Sequence, residues 1–122
     1  MKKNLLITGG NGYLGSNLAK KLKKKYNIII ASRNNFLNKQ VSDSIGCKFT
    51  PLDVTNIESI RDVVNLFKPE IIIHAAATKF VDLSETYPFE CIDVNIIGSA
   101  NIARVAIQNK VKIVIGISTD KT

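Results

Sequence analysis

With 122 residues and 45% hydrophobic side chains, the chain is long enough for one domain with one ordinary core, and too apolar to be disordered. No run approaches the ~20 apolar residues of a membrane-spanning helix, and Leu5–Ile7 is too short for the apolar heart of a signal peptide, so a cytoplasmic protein with no membrane partner is expected. The formal charge of +7 favours anionic ligands in general, but the lysine run at 20–25 has no aromatic interleaving, which points to a solvated helix face and away from nucleic acid.

Asn4–Thr8 is an unbroken apolar run that reads as a strand. Tyr13–Lys25 then reads as an amphipathic helix, with Leu14, Leu18 and Leu22 turned inward at four-residue spacing. Ile28–Ser32 is a second strand. Phe36, Leu37, Gln40, Val41, Ser44 and Ile45 recur at helical spacing and predict a short helix. Cys47–Val54 holds a third strand. Thr55 and Glu58 have capping-box spacing and open a helix to about Phe67. Glu70–Ala77 is a fourth strand. Pro88 suits a first helical position, and Phe89, Ile92, Ile96, Ala100, Ala103 and Ile107 keep one face apolar to about Lys110. Val111–Ser118 supplies the fifth strand.

Strands that are apolar on both faces and alternate with helices specify an α/β fold: a doubly wound parallel sheet, here in the order 3-2-1-4-5 and forming one domain over residues 1–122. Ligands of such sheets bind beyond the carboxyl ends of the strands, where the strand order reverses. That rule directs attention to Gly9–Gly15, Ser32–Arg33, Asp53, His74–Thr78 and Ser118–Lys121.

The stretch "TGGNGYLG" places Gly9, Gly12 and Gly15 directly after a strand and at the opening of a helix. Glycines at that spacing allow a tight turn and a close approach of backbone amides to a pyrophosphate. The end of the second strand discriminates between cofactors. A carboxylate is expected there for the ribose hydroxyls of NAD, but the chain has Ser32 and Arg33, and a guanidinium suits a 2′-phosphate. NADP is therefore expected in preference to NAD. Cys47 and Cys91 lack CxxC spacing and read as reduced thiols, and a single histidine gives no basis for a metal site.

"TGGNGYLG", "LDV", "HAAA", "DVNIIGSANIARVA" and "ISTDK" occur in the order and spacing of the extended short-chain dehydrogenases/reductases, whose nucleotide-binding domain is a Rossmann fold. "HAAATK" followed by "STDK" most resembles the UDP-N-acetylglucosamine 4,6-dehydratases. The related dTDP-glucose dehydratases typically carry Glu in place of Lys121, and epimerases a small or hydroxyl residue. The resemblance implies that Gly9, Gly12 and Gly15 hold the pyrophosphate, with Asn11, Tyr13 and Leu14 lending backbone groups. Ser32 and Arg33 would take the 2′-phosphate, and Asp53 and Val54 would flank the adenine. Ala75 and Ala76 would let the cofactor pass close to the backbone, Lys79 would lie near the nucleotide or sugar, and Asn95 would tie its helix to the fourth strand. His74 reads as structural.

The resemblance also implies an internal redox cycle. Hydride leaves sugar carbon 4, a proton leaves carbon 5, water leaves carbon 6, and the hydride returns to carbon 6. In this scheme Asp120 is the acid, Lys121 the base, and Thr119 hydrogen-bonds the oxygen at carbon 4. Such enzymes continue past "STDK" with a Tyr-x-x-x-Lys helix, a further strand and a sugar-binding lobe, none of which falls within residues 1–122. The expectation is an N-terminal part of an enzyme that is homo-oligomeric when complete, inactive as 122 residues alone, and left with an exposed strand edge. An epimerase or reductase of the same superfamily and a non-catalytic cofactor-binding module are the alternatives.

Overall fold

The computed structural model describes residues 2–75 and 100–116. In chain order these form β1 (Lys3–Thr8), α1 (Tyr13–Leu22), β2 (Tyr26–Ser32), α2 (Asn35–Ile45), β3 (Lys48–Pro51), α3 (Ile57–Phe67), β4 (Ile71–His74), a helix α4 over residues 100–108, and β5 (Ile113–Gly116). Every strand pairing is parallel, and the sheet order is β3-β2-β1-β4-β5, as the alternation of apolar runs and helical faces predicts.

The middles of the central strands β1, β2 and β4 are apolar because each face of the sheet meets a helix layer there. Leu5 and Ile7 of β1 pack with Ala19 of α1 and Ile45 of α2, whereas Leu6 packs with Ile60 and Val64 of α3 and Ile102 and Val105 of α4. Ile28 and Ile30 against Ile29 and Ala31, and Ile73 against Ile72, repeat the same two-residue alternation. Burial of each such Leu or Ile contributes ~1.5–3 kcal/mol. Leu6 is fully buried, and Leu6→Ala is expected to lower stability by about 2–5 kcal/mol in a urea titration. Phe36, on α2, is 74% exposed, and Phe36→Ala is expected to shift stability by less than about 0.5 kcal/mol. Equal losses for the two would contradict this assignment of the core.

Four local expectations are corrected. Helix α1 stops at Leu22, and residues 23–25 form the turn into β2. On α2 the buried face is Asn38, Ser42 and Ile45, while Phe36 and Leu37 are exposed. An asparagine whose amide is fully hydrogen-bonded is cheap to bury, so a face read from apolar residues alone was rotated away from the core. Helix α3 is capped by Asn56, whose Oδ1 accepts from the amides of Glu58 and Ser59; the Thr55 hydroxyl instead donates to Asp53. On α4, Ile102, Val105 and Ala106 are buried, whereas Ala100, Ala103 and Ile107 are exposed. Pro88, Phe89, Cys91, Ile92 and Ile96 lie outside the described residues.

Strand β5 pairs with β4 on one side, and among the described residues no strand pairs with its other side. Ile113, Val114 and Ile115 are each between 42% and 48% exposed. An apolar edge of this kind promotes self-association.

Candidate functional site

The parallel register sets Thr50, Ala31, Thr8, His74 and Gly116 in one row across the sheet. The next residues, Pro51, Ser32, Gly9 and Ala75, therefore open onto a single edge. The chain leaves this edge in two directions, toward α1 and α2 on one face and toward α3 on the other, so a crevice forms above β1.

The glycine turn is built around Gly9, whose φ of 72° is left-handed and whose amide donates to the Ala31 carbonyl at 2.7 Å. The Gly12 amide closes the turn onto the Gly9 carbonyl at 3.0 Å. A Cβ on Gly15 would lie 2.5 Å from that carbonyl oxygen, so α1 can start against the turn only with glycine there. Gly10, which the motif spacing did not single out, is equally constrained: its Cβ would meet Ile30 at 2.5 Å.

Helix α1 differs from its neighbours at its amino end. Asn34 caps α2 and Asn56 caps α3, but α1 begins at Gly12 with no side-chain cap and no acid in its first turn. Its first-turn amides, from Tyr13, Leu14 and Gly15, thus have no side-chain acceptor, and the partial positive charge of the helix end is unopposed. This donor set fits a pyrophosphate.

A polar cluster fixes the turn to the end of β2. The Asn11 side-chain amide donates to the Ser32 hydroxyl and, at 3.0 Å, to Asn38 Oδ1; the Ser32 hydroxyl donates to the same Asn38 oxygen at 2.8 Å. Asn38 Nδ2 in turn donates to the carbonyls of Ser32 (3.0 Å) and Thr50 (3.1 Å). A single fully buried side chain therefore holds the glycine turn, β2 and β3 together. Sequence reasoning missed Asn38. The signal was its position three, four and seven residues before Val41, Ser42 and Ile45, the spacing of one helix face.

Arg33 is exposed at the end of β2 and forms no ion pair among the described residues. Asp53 lies close enough to feel it. The Thr55 hydroxyl, at 2.6 Å, is the main cause that lowers the Asp53 pKa below its ordinary value; burial opposes it, and the Thr55 amide and the Arg33 charge add smaller downward effects. Val54 is tied down through its carbonyl, which accepts from Asn101 of α4 at 3.0 Å, a second link the sequence did not disclose. The Ala75 amide donates to the Thr8 carbonyl at 2.9 Å.

Beneath this edge, Thr8 Oγ1 and His74 Nδ1 share a hydrogen bond of 2.6 Å, with both residues buried. Burial holds the His74 pKa below the ordinary 6.5, so the folded state keeps the ring neutral longer than the unfolded chain does. The unfolded state then binds the extra proton, and stability falls as pH drops below about 6.5 through the lowered folded-state value. A lower thermal midpoint at about pH 5 than at about pH 7.5 is expected, with a flatter acid limb in His74→Gln. An unchanged limb in that variant would contradict the role of His74.

Ala76, Lys79, Asn95, Ser118, Thr119, Asp120 and Lys121 lie outside the described residues. Of the expected site residues, the structure brings together Gly9, Asn11, Gly12, Tyr13, Leu14, Gly15, Ser32, Arg33, Asp53, Val54 and Ala75 along one sheet edge.

The sheet order and the glycine turn ahead of an uncapped helix define a Rossmann-type domain. A family model described as polysaccharide biosynthesis protein matches residues 5–122. The chain is 36% identical over 129 residues to the capsular polysaccharide biosynthesis protein CapD of Staphylococcus aureus, and 37% identical over 130 residues to a UDP-N-acetylglucosamine 4,6-dehydratase (inverting) of Campylobacter jejuni. It is also 37% identical over 129 residues to a UDP-glucose 4-epimerase of Rickettsia typhi. Each match covers 98% of this chain, which spans 22% of the CapD relative and 37% of the other two.

Among solved structures, the UDP-glucose 4-epimerase of Thermotoga maritima with UDP-glucose superposes with a TM-score of 0.84 at 29% identity, over 95% of this chain and 38% of that one. WbmG of Bordetella bronchiseptica, in complex with NAD, gives 0.78 at 28%, over 95% and 37%. The chain belongs to the polysaccharide biosynthesis protein family of extended short-chain dehydrogenases/reductases.

Proposed function

We propose that residues 1–122 are the cofactor-binding part of an NADP-dependent nucleotide-sugar 4,6-dehydratase, which converts UDP-N-acetylglucosamine to a 4-keto-6-deoxy sugar for surface-glycan synthesis. The observation that carries the reading is the uncapped amino end of α1 behind the glycine turn, in a chain collinear with relatives named for that reaction. Gly9, Gly12 and Gly15 let the backbone approach the pyrophosphate, and the amides of Tyr13, Leu14 and Gly15 face its charge. Asn11 and Asn38 hold the turn. Asp53 and Val54 flank the adenine, and Ala75, Ala76 and Lys79 border the path toward the sugar. Bound there, NADP+ supplies the acceptor for the hydride that leaves sugar carbon 4 and returns to carbon 6 once the hydroxyl has left, with a proton returning to carbon 5. Thr119 hydrogen-bonds the oxygen at sugar carbon 4, Asp120 gives a proton to the departing hydroxyl at carbon 6, and Lys121 takes the proton from carbon 5. The sugar-gripping lobe and the homo-oligomer belong to the complete enzyme.

Arg33 supports NADP over NAD. The Ser32 proton is directed at Asn38, so the 2′-phosphate relies first on the guanidinium. The Asn11 amide also serves that Asn38 oxygen, so the Ser32 hydroxyl can turn to the phosphate without leaving it unpaired. Arg33→Asp is expected to weaken NADP+ binding by about 1.5–3 kcal/mol and to remove the preference over NAD+ in calorimetric titrations. Equal affinity of the unmodified chain for the two nucleotides would refute the NADP reading.

The Rickettsia relatives' names support a second reading, a 4-epimerase. Mass spectrometry separates the two. A chain extended to the length of its relatives and incubated with UDP-N-acetylglucosamine should yield a product lighter by one water. An isobaric product would favour the epimerase, and no conversion would leave the dehydratase reading without support.

A further inference from the structure

We propose that the amino-terminal rim of the sheet, opposite the glycine turn, docks onto an anionic lipid bilayer. In a parallel sheet every strand begins at one end and every crossover helix finishes there. This chain places lysine at the start of all five strands. β1 opens on Lys2 and Lys3, lysines 23–25 precede β2, and β3 opens on Lys48. Lys68 precedes β4, and Lys110 and Lys112 precede β5. All nine are exposed. At the usual inter-strand spacing they are spread over about 19 Å.

Glu70 is the single carboxylate in these strand-opening segments, and it is engaged by Lys3 at 3.0 Å and Lys112 at 3.6 Å. Lysines near helix ends also offset helix dipoles. Four helices present roughly −0.5 charge each at this rim, about −2 in all, against nine lysines and one glutamate. Helix capping therefore accounts for only a fraction of the excess, and about +6 remains.

Two further features point to lipid. A cleft of about 270 Å³ opens on the rim where α3 and α4 end, lined by Lys68, Lys110 and Lys112 with Asn65, Asn109 and Glu70; the Glu70 carboxylate is already engaged by Lys3 and Lys112, and the remaining lysine excess suits a phosphate headgroup. Leu66 and Ile107, in the last turns of those same helices, are 72% and 79% exposed. Large aliphatic side chains standing free among lysines suit the boundary between headgroups and acyl chains. Nucleic acid fits less well: the strand-opening segments hold no arginine for bidentate contacts and no exposed aromatic residue for stacking. Docked by this rim, the chain would present its glycine turn away from the membrane, open to a soluble nucleotide.

The test is flotation of the 122-residue chain with vesicles of phosphatidylcholine, with or without phosphatidylglycerol, alongside fluorescence anisotropy with duplex DNA. Three double variants are compared, each checked for an unchanged circular dichroism spectrum. Lys24→Glu with Lys68→Glu reverses charge on the rim. Lys39→Glu with Arg104→Glu makes the same change in net charge on exposed helix positions elsewhere. Leu66→Ser with Ile107→Ser removes the apolar pair at constant charge.

The chain should bind only the vesicles containing phosphatidylglycerol, and raised salt should release it. The rim variant should lose roughly 30-fold or more in partitioning, because each surface lysine contributes about a fivefold factor. The off-rim variant should retain most of its binding. The apolar variant should bind vesicles several-fold more weakly with DNA binding unchanged. No binding to anionic vesicles, equal losses in the two charge variants, or tighter binding to DNA than to vesicles would each overturn the proposal.

Discussion

Gly12→Val is expected to weaken nucleotide binding strongly while leaving the chain folded. Gly12 has φ −82° and ψ 175°, an extended conformation that valine adopts without strain. Its side chain would project at the point where the backbone turns into α1, where a pyrophosphate must approach the first-turn amides closely. The loss should be on the order of 100-fold, or about 2.7 kcal/mol, by calorimetry with NADP+ or NAD+. The thermal midpoint should stay within a few degrees of the parent, a shift that corresponds to less than about 1 kcal/mol. Gly15→Ala should behave differently, because its Cβ meets the Gly9 carbonyl oxygen at 2.5 Å inside the fold itself. That overpacking should cost about 1–3 kcal/mol of stability with or without nucleotide. Undiminished binding in Gly12→Val would show that the phosphates do not sit at this turn.

In a chain extended to the length of its relatives, Lys121→Ala should reduce dehydration of UDP-N-acetylglucosamine by about 100- to 10,000-fold, the range that a positioned general base supplies. The loss should appear in kcat with little change in KM, since the base acts on a carbon acid and not on the bound sugar's grip. The midpoint for NADP+ binding should not move. A variant with lowered affinity for the nucleotide sugar and unchanged kcat would assign Lys121 to binding instead of proton transfer.

Much of the fold is legible in the sequence because it is written in apolar periodicity. Ile28–Ile30 and Ile71–Ile73 can be buried on both faces only in a covered parallel sheet, and the turn chemistry of Gly9–Gly15 fixes the helix that follows. Polar burial is far less legible. Asn38 and Ser42 occupy the inner face of α2 because hydrogen bonds to Ser32, Thr50 and Lys39 satisfy them, and no hydropathy pattern announces such partners. Thr55 and Asn56 compete as caps of α3 for a related reason: both are capping residues, and the Asp53–Thr55 turn decides in favour of Asn56. Charge is least legible of all. The lysine run at 20–25 reads as one solvated helix face, and Lys3, Lys48, Lys68 and Lys112 look unrelated until the parallel topology gathers them at one end. The expectation of no membrane partner rested on the absence of a spanning segment. Among the described residues no helix is long and apolar enough to cross a membrane, but a lysine rim bears on a peripheral contact, which span length does not address.

Binding of a nicotinamide dinucleotide across the glycine turn, at the carboxyl edge of the sheet, is the proposal on which the assigned roles depend. An amide-resolved NMR titration of the 122-residue chain with NADP+ tests it most directly. The predicted result is saturable one-to-one binding, with the largest shifts at Gly9, Asn11, Gly12, Tyr13, Gly15 and Arg33, and little change at Lys24, Lys48 or Lys68 on the opposite rim. Shifts confined to that lysine rim, or no saturable binding at all, would contradict it.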